Sequence, residues 1–422
     1  MTDAINRHLA DAARARGQGR RADEQRSLAA ALALDADHPV ARNALGMAAL
    51  QAGDAAVAAG HFGAAAARDP NSSALWLNLA KAHRISGDDE GERSALERAL
   101  AADQTDLMAI IRMAELHERL GEHSPATDRW SAVLAMAGAL PDNPPELTAI
   151  IGHARAYVGG RRASLADALD QALAADLAAA SARDRRRMTA ASDAMLGRRS
   201  IFTNQCEGLH YPFLPADEYF DRELFPWFVE LEAATATIRA ELEAILASGD
   251  AGLAPYVQMA KGTPDNKWSA LDGSTDWSSL HLWREGQRID SVCARAPQTA
   301  LLIGSLPLAR IPERAPTVFF SILKAGSHIP AHTGVTNSRT IVHLPLIVPP
   351  GCSFRVGGEM RDWREGEAFA FDDTIEHEAW NRSEHDRAVL ILDCWNLHLS
   401  EDERRMIVRM FDVADQARDA AR

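Results

Sequence analysis

The chain has 422 residues, 47% of them hydrophobic and 25% charged, with a net charge of −14 and a pI near 5.5. That length exceeds one ordinary core, so two or three globular domains are expected, and the acidic balance argues against general binding of nucleic acid or anionic membrane. Cys206, Cys293, Cys352 and Cys394 are far apart and form no C-x-x-C pair, so neither a zinc knuckle nor a disulfide framework is indicated.

The N-terminus lacks the apolar stretch of a signal peptide, and no run approaches about 18 apolar residues. No membrane span is expected, and a reducing cytoplasm is the expected compartment. Gly19, Gly53, Gly87 and Gly121 recur every 34 residues, as do Asp35, Asp69 and Asp103, and Leu28, Phe62, Leu96 and Trp130. This period with two helices per unit resembles the tetratricopeptide repeat. The glycines fall in turns where a positive φ is easiest without a Cβ, and Gly46, Ala48, Ala49, Ala80 and Ala82 let paired helices approach. Four units over residues 5–137 predict an α-solenoid, either a peptide- or protein-binding groove or a stability and dimerisation module.

Residues 138–162, with PDNPPEL and GGRR, read as loop and linker, and 163–196 as one or two helices; 138–200 as a whole is expected to be a helical linker. The second domain is placed at 201–422, where aromatic residues, proline and histidine become common. An amphipathic helix is expected from about Pro226 to Leu246, and a short one over Asp290–Ala296 that Pro297 stops before the apolar run Ala300–Leu306. Residues 267–288, with Trp268, Trp277, His281 and Arg284, read as either a substrate lid or packing.

Strands are predicted at Thr317–Leu323, Arg339–Ile347, Ser353–Val356, Glu367–Phe371, Glu376–Trp380 and Ala388–Trp395, separated by Pro-Pro-Gly, Gly-Gly and Asp-Asp turns. They suggest a jelly-roll-type double-stranded barrel, and SEDE at 400–403 is a capping box for a terminal helix. Within this region His332 and His377 lie 45 positions apart, with Arg387 ten residues on. Two imidazoles on neighbouring strands and a guanidinium close behind can hold a divalent iron and the carboxylate of an oxo-acid. Asp372 and Asp373 read as turn-shaping residues, and His328 as structural. Trp380 and Trp395 read as packing, and Trp363 as a loop anchor. Glu376 and Glu378, one position either side of His377, are expected to point away from it.

The segments HTGVTNSRTIVHLPLIVP, EGEAFAFDDTIEHEAWN and DRAVLILDCW resemble the aspartyl/asparaginyl β-hydroxylase family of Fe(II)/2-oxoglutarate oxygenases. The match covers about residues 316–396, with a weaker extension to about residue 210. The resemblance implies a double-stranded β-helix dioxygenase domain, with Fe(II), 2-oxoglutarate and dioxygen as metal and cosubstrates. It makes His332 and His377 the metal ligands and Arg387 the partner of the distal 2-oxoglutarate carboxylate. Ser321 would bond the same carboxylate, His343 would contact the cosubstrate near the iron, and Arg339 would contact cosubstrate or substrate. Common iron oxygenases carry a carboxylate two residues after the first histidine; here that residue is Gly334, and this family is similar in having glycine there. Asp-directed members carry an arginine where this chain has Ile341, which leaves the identity of the hydroxylated residue open. The implied activity is hydroxylation of an aspartyl or asparaginyl side chain of a peptide or protein, held by the repeat groove. The alternatives are hydroxylation of a free amino acid or a lipid-linked acyl chain, or a non-catalytic repeat scaffold with a decayed barrel. The oligomeric state is not legible.

Overall fold

A computed structural model describes residues 2–138 and 144–419. The chain splits into two compact units, Met1–Ala175 and Asp176–Arg422. Among the described residues no helix is long and apolar enough to cross a membrane.

In the first unit α1 (Thr2–Gly17), α2 (Arg21–Leu34), α3 (Pro39–Gln51), α4 (Ala55–Arg68), α5 (Ser73–Ser86), α6 (Asp89–Ala102), α7 (Leu107–Arg119) and α8 (His123–Gly138) form four successive pairs. The four periodic glycines occupy the turn within each pair at φ between 70° and 86°. Leu28, Phe62, Leu96 and Trp130 are all buried, as their shared period requires. Gly46 is a true close approach: the edge of the Phe62 ring lies 2.6 Å from where a Cβ would project. Gly46→Ala is therefore expected to destabilise the repeat unit by roughly 1–3 kcal/mol, the cost of overpacking a filled core. A lower urea midpoint with an unchanged slope would register it.

α9 (Pro145–Ala179) runs for 35 residues. Residues 145–162, expected as loop, are helical, and Gly159 and Gly160 lie inside the helix; residues 139–143 fall outside the described residues. The reason is tertiary. Ala154 and Val158 cover Ile110, Ile111, Trp130 and Val133 of the last pair, with Leu147, Ile150 and Tyr157 beside them. Closing an otherwise exposed end of the array outweighs about 1 kcal/mol for each glycine.

The second unit begins with α10 (Ala182–Met195) and an extended stretch. The expected single helix after Pro226 divides at Ala234 into α11 (Phe228–Ala233) and α12 (Thr235–Ala247). There follow β1 (Ala254–Pro255), β2 (Trp277–Arg284), β3 (Gln287–Arg288), α13 (Asp290–Cys293) and α14 (Pro297–Ser305), which Pro297 opens. The remaining strands are β4 (Val318–Leu323), β5 (His328–His332), β6 (Arg339–Ile347), β7 (Cys352–Val356), β8 (Glu359–Asp362), β9 (Phe369–Phe371), β10 (His377–Asn381) and β11 (Arg387–Trp395). The chain ends in α15 (Glu401–Asp419), whose capping box forms as read: Ser400 N–H donates to Glu403 Oε2 (2.7 Å) and Glu403 N–H to Ser400 Oγ (3.3 Å).

The strands make two antiparallel sheets. One runs β1-β2-β4-β11-β6-β9, with β3 on β2, and the other β5-β10-β7-β8. From β4 to β11 the chain crosses repeatedly between them, the winding of a double-stranded β-helix, but the sheets are hydrogen-bonded separately and do not close into one barrel. Alternation along the strands builds two cores. Leu280, Phe320, Val342, Leu344, Leu390 and Leu392 pack against Leu231, Leu242 and Ile303 of the helices. Trp277, Leu323, Phe371 and Val389 meet Ile329, Phe354, Val356 and Ala379 between the sheets. Residues 277–284, considered above for a lid, are a nearly wholly buried strand paired with β4.

Candidate active site

His332 ends β5, His377 opens β10, and the two are direct register partners on the inner face of the smaller sheet. Their ring centroids lie 4.1 Å apart. His332 Nδ1 bonds the Pro330 carbonyl (2.8 Å) and His377 Nδ1 the Ile375 carbonyl (3.0 Å). A carbonyl only accepts, so each Nδ1 carries the proton and each Nε2 keeps its lone pair. Burial lowers His332 to about 4 and holds His377 well below the ordinary imidazole value. Both rings are therefore neutral, the form that binds metal, throughout the physiological range.

Arg387 opens β11, on the facing sheet, and is only 2% exposed. Its NH2 donates to Ser321 Oγ across a long 3.4 Å, its Nε has no partner, and among the described residues no carboxylate pairs with it. Burial lowers the guanidinium to about 10, so it remains a cation. Ser321 Oγ also accepts from Trp277 Nε1 (3.0 Å). With both acceptor positions engaged, the Ser321 O–H is left to donate outward. Trp363 lies over Arg387, with its ring centre 4.7 Å from Cζ, and stacks on His343 at 5.4 Å and 13°. The His343 Nδ1 and the Trp363 Nε1 are buried without partners. Burial first, then the charges of Arg387 and His377, hold His343 well below the ordinary imidazole value. Trp277 bridges His332 and Ser321, with its ring 6.3 Å from the imidazole and its N–H on the hydroxyl.

A buried cation surrounded by unsatisfied polar atoms and no anion is costly by several kcal/mol, and a carboxylate ligand would offset it. The donor set thus fits a 2-oxo dicarboxylate, and the paired Nε2 atoms fit a divalent transition metal. Among the described residues no group of three or more His, Cys, Asp or Glu side chains has metal-holding geometry.

The structure brings together His332 with His377, and Arg387 with Ser321, His343 and Trp363. It does not bring Arg339 to this cluster. Arg339 pairs in register with Trp395, at the far end of β11 from Arg387, roughly 25 Å along the strand at about 3.3 Å per residue. Its guanidinium is engaged by Asp393, itself buried, and by the Arg314 carbonyl. A shared contact of Arg339 and Arg387 with one cosubstrate carboxylate is excluded by that separation.

Asp372 shapes the turn as expected, accepting from Thr374 N–H (3.0 Å) and Thr374 Oγ1 (2.6 Å). Asp373 does something else: its carboxyl occupies the space where a Cβ at position 334 would project. Burial first, then the neighbouring Asp372, push it up to about 7. Because the folded value is raised, the ionised form burdens the fold at high pH and the burden fades as pH falls from about 7 towards the ordinary carboxyl value. The metal-free Asp373→Asn variant should therefore melt above the wild type at pH 8, with the gap narrowing by pH 5. A gap that is constant with pH would count against this. Glu376 and Glu378 point away from the imidazoles and bind Arg355, and His328 stacks on Trp380 at 5.0 Å beside Glu378. Of the aromatic residues considered above for a lid, Trp268 lies 5.0 Å from His332. Trp363, read as a loop anchor, is a wall of the Arg387 pocket; its indole N–H and isolated place between two turns gave no pattern that could have marked it.

Two imidazoles and a buried guanidinium thus stand on the two sheets of a double-stranded β-helix domain. Residues 232–397 match the family model for Aspartyl/Asparaginyl beta-hydroxylase. It is similar to human aspartyl/asparaginyl beta-hydroxylase, at 36% identity over 159 residues, 37% of this chain and 21% of that protein. The ornithine lipid ester-linked acyl 2-hydroxylase of Rhizobium tropici is 34% identical over 188 residues, 44% of this chain and 63% of that protein. The aspartate beta-hydroxylase domain-containing protein 2 of Xenopus tropicalis is 32% identical over 204 residues, 47% of this chain and 53% of that protein. The chain thus spans about a fifth of the human relative's length and under two thirds of the others.

Proposed function

We propose that this protein is an Fe(II)- and 2-oxoglutarate-dependent dioxygenase that hydroxylates an aspartyl or asparaginyl side chain of a peptide or protein. The observation that carries this reading is the buried Arg387, paired with no carboxylate among the described residues, on the sheet facing two neutral imidazoles whose Nδ1 atoms are bonded to carbonyls, which leaves each Nε2 its lone pair. His332 and His377 would hold the iron, and the bound metal would supply the redox chemistry that couples oxidative decarboxylation of 2-oxoglutarate to insertion of one oxygen atom into a C–H bond. The Pro330 and Ile375 carbonyls fix both rings in the ligating tautomer. Arg387 binds the distal carboxylate, and Ser321, held by Trp277, donates its hydroxyl proton to the same group. Trp363 and His343 wall the pocket and keep water from the guanidinium. The repeat array is the proposed holder of the peptide.

The test is turnover. Full-length protein with Fe(II), ascorbate, 2-oxoglutarate and aspartyl- or asparaginyl-containing peptides should release succinate and yield a peptide heavier by one oxygen atom. No succinate with any candidate substrate would sink the proposal. A second reading, hydroxylation of a lipid-linked acyl chain, draws on the likeness to the Rhizobium tropici protein and on apolar Ile341 at the inner face. It predicts that acyl lipids, and not peptides, stimulate succinate release.

A further inference from the structure

Residues 203–211 lie between α10 and α11, before the family match begins at residue 232. We propose that this extended segment is a strap that positions the histidine pair, with Asn204 and Gly208 as its positioning residues, so that affinity for a divalent metal depends on it. The proposal rests on His332 and His377 being the ligands.

The strap bonds to the loop that follows His332 and to the loop that precedes His377. On the His377 side, Asn204 Nδ2 donates to Asp372 Oδ2 (2.7 Å) and Thr374 Oγ1 (2.9 Å), and Gln205 N–H donates to the Thr374 carbonyl (2.7 Å). The next residue, Ile375, supplies the carbonyl that orients the His377 ring. On the His332 side, Glu207 N–H donates to the Gly334 carbonyl (3.1 Å) and Gly208 N–H to the Val335 carbonyl (2.8 Å). Gly208 fits closely there: a Cβ on it would stand 2.9 Å from Val335 Cγ1 and 3.2 Å from the Val335 oxygen. Further along, Tyr211 N–H donates to Asn337 Oδ1 (2.7 Å), while Asn337 Nδ2 donates to the Tyr211 carbonyl (2.9 Å). One bond ties the two loops directly, Gly334 N–H to the Asp373 carbonyl (2.6 Å).

Two ligands that belong to separate loops bind a metal well only if their spacing is set beforehand, because any looseness must be removed on binding. Asn204→Ala leaves Asp372 Oδ2 without its amide donor and frees Thr374 from one side. Gly208→Ala crowds Val335, three residues past His332. Neither change touches the imidazoles, and neither reaches Arg387 or Ser321.

The experiment is titration of metal-free, full-length protein with Co(II), read by visible absorption of the bound ion, on the wild type and on Asn204→Ala, Gly208→Ala and His332→Ala. Both strap variants are expected to bind Co(II) about tenfold or more weakly, with an altered absorption envelope, while keeping a cooperative thermal melt. Outer-shell partners of metal ligands typically carry about 10–100-fold in affinity. If both strap variants bind within twofold of the wild type while His332→Ala does not bind, the strap proposal is overturned and the ligand assignment stands. If the wild type fails to bind Co(II), or His332→Ala binds as the wild type does, the ligand assignment falls and the strap proposal falls with it.

Discussion

Arg387→Met should make the metal-free protein more stable while abolishing its response to 2-oxoglutarate. The guanidinium is almost fully buried, donates one long bond to Ser321 and, among the described residues, pairs with no carboxylate. Its desolvation is therefore offset only in part, by that bond and by the Trp363 ring over Cζ, in the ligand-free fold. Replacing a buried charge by an apolar side chain of similar reach commonly gains about 1–4 kcal/mol. Methionine can follow the arginine stem under Trp363 and leaves the Trp277–Ser321 bond intact. At about 10 the arginine is charged at every pH near neutrality, so the gain should be flat from pH 6 to 8. In the wild type, 2-oxoglutarate or succinate should restore the deficit. A ligand at a hundred times its dissociation constant adds about 2.7 kcal/mol. The variant should gain nothing from either compound and should release no succinate. Thermal melts with and without the dicarboxylates check both halves. A variant that melts lower and still responds to succinate would mean the guanidinium is paired in solution by something other than this ligand.

What was legible in the chain follows from which signals survive burial. The solenoid was readable because four glycines at one period mark four turns, and their positive φ values follow from that role. β6 was bounded to the residue and β10 and β11 to within one, because turn residues flank them. β2 was ambiguous. The large sheet is covered by helices on one face and by the second sheet on the other, so Trp277–Arg284 shows no polar alternation and its aromatic residues resemble a lid as much as a strand. The start of α9 was lost because glycine, proline and asparagine punctuation outweighed an apolar stripe whose value lies only in capping the neighbouring pair. In the site, the histidines and Arg387 stood out by residue type and spacing. Asp373 did not. An acidic pair in a turn looks alike whether its carboxyls cap the backbone, as Asp372 does, or fill the space beside a glycine on another loop, as Asp373 does. The Arg339–Asp393 pair was equally silent, since it joins two strands that are remote in sequence and only a known register brings them together.

The second large effect concerns Gly334. In iron sites with a histidine–carboxylate triad, the carboxylate stands two residues after the first histidine, so Gly334→Asp nominally completes a common centre. Here it should do the reverse. The Asp373 carboxyl already occupies the space into which a side chain at 334 would grow, and Gly334 N–H is bonded to the Asp373 backbone carbonyl at 2.6 Å, so neither loop can withdraw without breaking that tie. A second carboxyl adds like-charge repulsion in a spot where one is already held near 7 by burial. Steric overpacking alone is worth about 1–3 kcal/mol, and at roughly 2–4 °C per kcal/mol for a unit the size of Asp176–Arg422 its melting point should drop by several degrees. Succinate release should vanish, because the displaced loops are those that carry His332 and His377. Gly334→Ala isolates the steric part and should show a smaller drop that is independent of pH. Gly334→Asp should show a drop that deepens between pH 5 and pH 8, as the crowded carboxyls ionise. Combining Gly334→Asp with Asp373→Gly vacates the space and should recover most of the lost melting temperature. If Gly334→Asp alone folds as the wild type does and binds Co(II) more tightly, then Asp373 swings clear at little cost and the glycine is not there to make room for it.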